Sequence, residues 1–227
     1  MSNLPENVVI IAASGFGREV LDVFIAANSE KEKWNLLGFI DEDPKLHGKV
    51  LNDYRVLGSF DWLTGKNIGA ISAICAVGDN KIRRKLVEKA TSYGLKFCSI
   101  RHPQAVITNF VSLGEGSVIC PGAVITNTID IGKHVIVNIN ATIGHDVEIE
   151  NFANINPGAH INGNVSVGEG AFIGSGAVVV QGLTIGEWSI VGAGAVVTKN
   201  IPAHVTAVGI PAKVISRHSQ SKKEDKE

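Results

Sequence analysis

Residues 131–161 read IGKHVIVNINATIGHDVEIENFANINPGAHI, and every sixth residue from Ile131 is aliphatic: Val137, Ile143, Ile149, Ile155 and Ile161. The same spacing extends back through Ile125, Ile119, Leu113 and Ile107. It extends forward through Val167, Ile173, Val179, Ile185, Val191 and Val197, without a miss. A period of six is neither the 3.6 of an α-helix nor the 2 of a strand. It is the repeat of a parallel β-helix, in which three short strands make one coil and the repeated aliphatic points into a shared core; the run holds about five coils. Small side chains such as Ala105, Ala123, Ala141, Ala153, Ala159, Ala171, Ala177 and Ala195 stand two positions before the core aliphatics. Gly114, Gly132, Gly144, Gly168, Gly174, Gly186 and Gly192 are expected to permit tight corners. A sandwich of short strands would not hold one period for so long.

Before His102-Pro103 the pattern is mixed α/β. Val8–Ala12 reads as a strand, and Phe16–Asn28 carries apolar residues at helical spacing (Val20, Val23, Phe24, Ala27). Trp34–Ile40, Ile68–Val77 and Phe97–Ile100 read as further strands. Asp79 is placed to cap a helix running to Tyr93, with Gly94 at its C-terminal end. Alternating strands and helices predict a small parallel α/β domain, Rossmann-like in outline. The expected organisation is an α/β domain over 1–102, a parallel β-helix over 103–200, a loop and cap over 201–218, and a solvated tail over 219–227.

A formal net charge of −1 leaves no basic excess to neutralise phosphates, so nucleic-acid binding is not expected. The first residues lack the pattern of a signal peptide, and no apolar run is long enough to span a membrane. Cys75, Cys98 and Cys120 follow no metal spacing, and a reducing cytoplasm fits them.

Three segments of the first half narrow the reading: Val9-Ile10-Ile11-Ala12-Ala13-Ser14-Gly15-Phe16-Gly17, Phe39-Ile40-Asp41-Glu42-Asp43-Pro44 and Ala76-Val77-Gly78-Asp79-Asn80-Lys81-Ile82-Arg83. With the six-residue ladder, Ile143-Gly144-His145-Asp146 and the closing Val208-Gly209-Ile210-Pro211-Ala212-Lys213, the chain resembles the sialic-acid O-acetyltransferase-like family of hexapeptide-repeat acyltransferases. That family includes N-acetyltransferases acting on nucleotide-linked 4-amino-sugars of the bacillosamine and perosamine type. The resemblance implies a left-handed β-helix, acetyl-CoA as co-substrate, a nucleotide-linked amino sugar as acceptor, and a homotrimer with active sites between subunits.

Residue by residue, Ser14-Gly15-Phe16-Gly17 follows a strand and opens a helix, so its backbone and the helix N-terminus suit a phosphate. Ala12 stands where a dinucleotide fingerprint has its first glycine. The resemblance places Asp41 and Glu42 near the nucleotide base, with Gly78, Asp79, Asn80 and Arg83 along the other edge and Asn138 against substrate. His145 falls at a coil corner, and eighteen residues on, one coil further, stands Gly163, where a missing side chain leaves space. Imidazole titrates near neutrality and suits a general base. Asp146 is expected to orient it, which requires a bend because neighbouring strand side chains point to opposite faces. For CoA the resemblance points to Asn154, Gly163, Ala193, Ile210, Pro211 and Lys213; Phe16 and Asn154 stand where the family often carries histidine. His134 and His160 read as packing or solvated residues. The histidine trio of the zinc-binding β-helices is absent, since Asn109 and Glu150 occupy the required positions, and no metal is expected. Val118, Val124, Ile136, Val178, Val180 and Val196 are aliphatic beyond the core positions and are expected to meet another chain. Two other readings stay open: an O-acetyltransferase acting on a sialic-acid-type hydroxyl, and a non-catalytic nucleotide-sugar-binding scaffold.

Overall fold

A computed structural model of the chain describes residues 5–218, and the tail expected over 219–227 lies outside the described residues. The first unit contains β1 (Glu6–Ile11), α1 (Gly15–Glu30), β2 (Trp34–Ile40), β3 (Val50–Leu51), β4 (Tyr54–Gly58), β5 (Ile71–Cys75), α2 (Asn80–Ser92) and β6 (Lys96–Phe97). Its sheet runs β3-β4-β2-β1-β5-β6, parallel except for β3. Val8 and Ile10 of β1 pack with Val20, Leu21 and Phe24 of α1. Val9 and Ile11 on the opposite face pack with Val87 and Ala90 of α2. A central strand buried on both faces explains its unbroken apolar run.

The structure shifts some expected boundaries. The strand expected over Ile68–Val77 covers Ile71–Cys75, because Ile68–Ala70 forms a 3-10 turn. The strand expected over Phe97–Ile100 divides: Lys96–Phe97 joins the α/β sheet, whereas β7 (Ile100–Arg101) pairs with Val118–Ile119 as the first rung of the β-helix. The β3–β4 hairpin turns on Asn52 and Asp53, both at positive φ, as a type I′ turn requires.

From Ile100 the chain winds as a parallel β-helix with three faces. The first face runs from Ile100–Arg101 to Val205–Val208 and is closed by the antiparallel strand Lys213–Arg217. The second holds six strands, from Val106–Ile107 to Val196–Val197, and the third five, from Val111–Leu113 to Thr184–Ile185. This is the parallel β-helix predicted from the period of six, with the left hand that the resemblance implies. Ladder positions from Ile119 to Val197 are all buried, while Ile107 and Leu113 at the open end are half-buried.

The corners obey a second six-residue rule. From Gly116 to Gly194 every sixth residue has φ between 51° and 74°, whether it is glycine or Thr128, His134, Asn140, Asp146, Phe152, Asn164 or Trp188. The glycines expected at the corners serve a different purpose. A Cβ on Gly168 would lie 2.6 Å from the Glu187 nitrogen, and one on Gly144 2.7 Å from the Gly163 nitrogen, so these glycines let successive coils stack in contact.

Two of the aliphatics expected to meet another chain are already covered. Val118 and Ile136 are fully buried beneath α1, together with Ile100 and Cys120. The α/β unit therefore lies on the first face of the prism, and α1 is packed on both sides. The two glycine classes predict different losses in chemical denaturation. Gly168→Ala should cost about 3 kcal/mol or more by forcing coils apart. Gly176→Ala, at φ 66° with open space around it, should cost only about 1 kcal/mol of left-handed strain.

Candidate active site

The seam between the two units begins at a shortage of hydrogen-bond donors. Strand carbonyls in the β-helix accept from the preceding coil, but those of the left-handed corner residues His134, Phe152 and Gly170 have no backbone donor among the described residues. The first turn of α2 supplies what is missing. Arg83 donates from Nε to the His134 carbonyl at 3.1 Å and from Nη2 to the Phe152 carbonyl at 2.7 Å; Asn80 Nδ2 donates to the Gly170 carbonyl at 2.9 Å. One helical turn thus reaches three successive coils. Arg83 also donates to the Val77 carbonyl at 2.7 Å, and burial lowers its pKa to about 10. This corrects the expectation that Arg83 faces a ligand: it is 0% exposed, and its guanidinium is committed to backbone carbonyls. Asp79 caps α2 by accepting from the Ile82 nitrogen at 2.8 Å.

A cleft of roughly 280 Å³ opens on the other side of this seam, beside α1. Phe16 of the Gly-rich turn, Gly78, Asn138 and Asn154 line it, as do Glu19, Ile136, Ile139, Asn156 and Pro157. Gly15 faces open space, where a ligand can approach the backbone; a Cβ on Gly17 would lie 2.1 Å from the Ala12 carbonyl oxygen. Ser14 caps α1 by accepting from the Gly17 nitrogen at 3.4 Å. Ala12 adopts φ 82°, the conformation for which the fingerprint normally uses glycine. Asp41 holds this turn, accepting from the Ala13 nitrogen at 2.8 Å and the Asp43 nitrogen at 2.9 Å. Glu42 accepts from the Phe60 nitrogen and pairs with Lys89. Both acidic residues stand at the carboxyl end of β2, outside the cleft lining.

His145 and Asp146 occupy the corner between the second and third faces. His145 Nδ1 lies 2.7 Å from an Asp146 carboxylate oxygen, and the side chains are 62% and 50% exposed. The bend that adjacency demands is the φ of 56° at Asp146, in the left-handed corner column. With Nδ1–H donated to the carboxylate, Nε2 carries the free lone pair. A Cβ on Gly163 would sit 2.6 Å from both Cε1 and Nε2 of His145, so the glycine makes room for the imidazole itself.

The residues expected around CoA fall in three places. Gly163 lies under His145. Ala193 is exposed between the first and second faces, next to the Gly209–Lys213 loop, which is tied down by Val196 N to Gly209 O and Ala212 N to Val196 O. Asn154 is 2% exposed, lines the cleft beside Asn138, and donates from Nδ2 to the Gly78 carbonyl at 3.0 Å. Among the described residues, no three His, Cys, Asp or Glu side chains are grouped to hold a metal ion, and no helix is long and apolar enough to cross a membrane.

Comparison with known proteins places this geometry. Residues 7–90 match the PglD N-terminal domain, and residues 164–199 match the bacterial transferase hexapeptide of six repeats. A histidine-to-asparagine variant of perosamine N-acetyltransferase from Caulobacter crescentus, solved in complex with CoA and GDP-perosamine, is 34% identical. The alignment covers 92% of this chain and 97% of that one, with a TM-score of 0.86. The chain belongs to this family of hexapeptide-repeat sugar N-acetyltransferases. The acetyltransferase domain of PglB from Neisseria gonorrhoeae, in complex with acetyl coenzyme A, is 33% identical over 93% of this chain and all of that one (100%), with a TM-score of 0.84. GDP-perosamine N-acetyltransferase of Escherichia coli is 32% identical over 110 residues, so the match spans 49% of that protein's length and 48% of this chain.

Sequence reasoning missed five cleft residues. Ile136 was assigned to a contact between chains, and Glu19, Ile139, Asn156 and Pro157 carry no motif. Glu19 sits on the helical face turned to the β-helix, one turn beyond Phe16, a position that only the docked arrangement reveals. Desolvation pushes the Cys75, Cys98 and Cys120 thiols up to about 12, so none is an activated nucleophile.

His134 is a packing residue. It is stacked on Phe152 at 5.0 Å and edge-on to Phe97 at 4.7 Å, and burial lowers its pKa from 6.5 to about 4. Below pH 6.5 the unfolded chain takes a proton that the folded one refuses, so stability falls as pH drops from 6.5 towards 4, by roughly 3 kcal/mol in all. His134→Phe, at a corner position whose column already accepts Phe152, should remove that part of the decline in melts recorded at pH 7, 6, 5 and 4.

Proposed function

We propose that the protein is an acetyl-CoA-dependent N-acetyltransferase acting on the C4 amine of a nucleotide-linked 4-amino-4,6-dideoxy sugar, with His145 as general base. The observation that carries the reading is the His145–Asp146 pair, fixed on the rigid prism with Nε2 unclaimed. Relatives covering almost the whole chain support it, since their structures hold CoA with GDP-perosamine, or acetyl coenzyme A.

In this reading the acceptor nitrogen attacks the thioester carbon while His145 Nε2 takes a proton from it. As the tetrahedral intermediate collapses, the C–S bond breaks and the imidazolium returns the proton to the departing thiolate. Asp146 holds the tautomer and stabilises the imidazolium. The Gly163 N–H, without an acceptor among the described residues, supplies an oxyanion donor. The three buried thiols favour direct transfer over an acyl-enzyme. The Ser14–Gly17 turn and the α1 N-terminus take the nucleotide phosphates, and Lys213 offers a cation to CoA.

A single copy separates the parts. The acceptor cleft opens at the corner between the first and second faces, and His145 lies at the next corner, with one face of the prism between them. We therefore read the enzyme as a homotrimer in which the His145 corner of one subunit meets the cleft of the next. The outward column Val124, Thr142, His160, Val178 and Val196 covers the face between them.

The deciding measurement is thiol release from acetyl-CoA against UDP-, dTDP- and GDP-linked 4-amino-sugars. Release with one of them is expected; silence across the set, with release on a hydroxyl sugar, would move the assignment to O-acetylation. His145→Ala should keep the oligomer seen by light scattering and lose about 10²–10⁴-fold in kcat. Turnover at the wild-type rate would remove His145 from the mechanism, and a monomeric wild type would remove the shared site.

A further inference from the structure

The polar groups of the acceptor cleft are one-sided. Asn138 Oδ1 already accepts from the Ile139 nitrogen at 2.7 Å, so its amide turns donors to the cleft. Asn154 is the opposite case: its Nδ2 is held by the Gly78 carbonyl, and its buried Oδ1 has no partner. A flipped amide would set oxygen against that carbonyl oxygen, so the chemistry fixes the orientation. Asn156 likewise donates from Nδ2 to the Ile173 carbonyl at 2.7 Å, leaving its oxygen free. Glu19 adds a carboxylate that forms no hydrogen bond or ion pair among the described residues, and no Lys, Arg or His lines the cleft. Three unclaimed acceptor groups, one of them anionic, face a single unclaimed donor group. An oxygen sealed away without a donor costs about 1–3 kcal/mol, which a ligand N–H would relieve.

We propose that Glu19 is the specificity residue for the acceptor amine, binding it as an ammonium with Asn154 and Asn156 as flanking acceptors. This rests on the N-acetyltransferase reading of the same cleft. An aliphatic amine is protonated at neutral pH and presents three donors without an acceptor, the complement of this lining. The position along α1 is consistent. The phosphate-binding turn lies at the helix N-terminus, and Glu19 stands about one turn on, roughly 5 Å along the axis. There it acts on a sugar rather than on the phosphates, which it would repel. The ion pair favours binding; the ammonium gives one proton to solvent before attack, and His145 takes a second as the C–N bond forms and passes it to the thiolate. The attacking nitrogen regains positive charge in that step, so Glu19 holds ground and transition states alike and acts on KM rather than on kcat.

The test compares wild type with Glu19→Gln, a change on an accessible helix position, using matched pairs of nucleotide-linked 4-amino-4,6-dideoxy and 4-hydroxy-6-deoxy sugars on UDP, dTDP and GDP. Thiol release gives KM and kcat for the amino sugars, and equilibrium titration gives Kd for both members of each pair. In wild type the amino sugar is expected to bind about tenfold more tightly than its hydroxy partner. Glu19→Gln should erase that preference by raising the amino-sugar KM and Kd about tenfold. Its kcat, its KM for acetyl-CoA and its Kd for the hydroxy sugar should change less than twofold. Rising salt should weaken the preference in wild type only. An unchanged preference in Glu19→Gln overturns the inference and leaves the enzyme reading intact. Preferential binding of amino sugars without thiol release overturns the enzyme reading and leaves the Glu19 assignment intact, and binding of no pair overturns both.

Discussion

A chain that turns with the left-handed backbone at every sixth residue must give up hydrogen bonding at its corners. The strands between corners pair with the coils before and after them, and the core aliphatics stack beneath. At the edge where the third face returns to the first, the carbonyls of His134, Phe152 and Gly170 lie outside that ladder. Buried carbonyls need donors. The α/β unit docks where they are, through the two polar side chains at the start of α2 that can reach them, Asn80 and Arg83. The seam, and with it the cleft beside α1, depends on this deficit. α1 completes the docking by an apolar contact, burying Val118 and Ile136 that would otherwise be a greasy stripe on the prism.

The buried guanidinium suits this place better than an apolar residue would. Replacing a buried ion pair by packed hydrocarbon is often harmless, because both charges leave together. Here the partners are backbone carbonyls, which cannot be removed, and an apolar substitute would leave each of them unpaired. Arg83 also ties down the Val77 carbonyl, and Asn154 holds that of Gly78, so the segment lining the cleft is fixed from both sides. The same residues that make the interface make the ligand site stiff.

The β-helix was legible because its signal lies in the core, where each Ile or Val has one place to go. The corner rule was hidden: half of the left-handed positions are not glycine, and the conspicuous glycines answer to coil stacking. Asp146 shows what this concealed. Its contact with His145 looked awkward as a strand neighbour and follows directly from its column, 116 + 30, where φ is always positive. The β3–β4 hairpin did leave a trace in Asn52-Asp53, a pair suited to a type I′ turn. Gly78, Asp79, Asn80 and Arg83 stood out as a motif and invited a ligand, yet Asn80 and Arg83 bind the chain's own backbone; the spacing fits a helix reading a column of carbonyls. Glu19 left no trace, since its meaning comes from a surface more than a hundred residues further along the chain.

The two halves of the site therefore answer to different constraints. His145 sits on a ladder in which its own carbonyl accepts from the Asn164 nitrogen and its ring lies on Gly163, so the backbone that carries it cannot move without unstacking coils. The cleft lies across a seam, and its lining comes from α1, the segment after β5 and two coils of the prism. If His145 is the base of the proposed reaction, a base so held can serve any acceptor that is brought to it. Discrimination must then reside in the lining, and changes on α1 can alter it without disturbing a ladder hydrogen bond. On the proposed function, the chemistry belongs to the repeat and the choice of substrate to the helix laid against it.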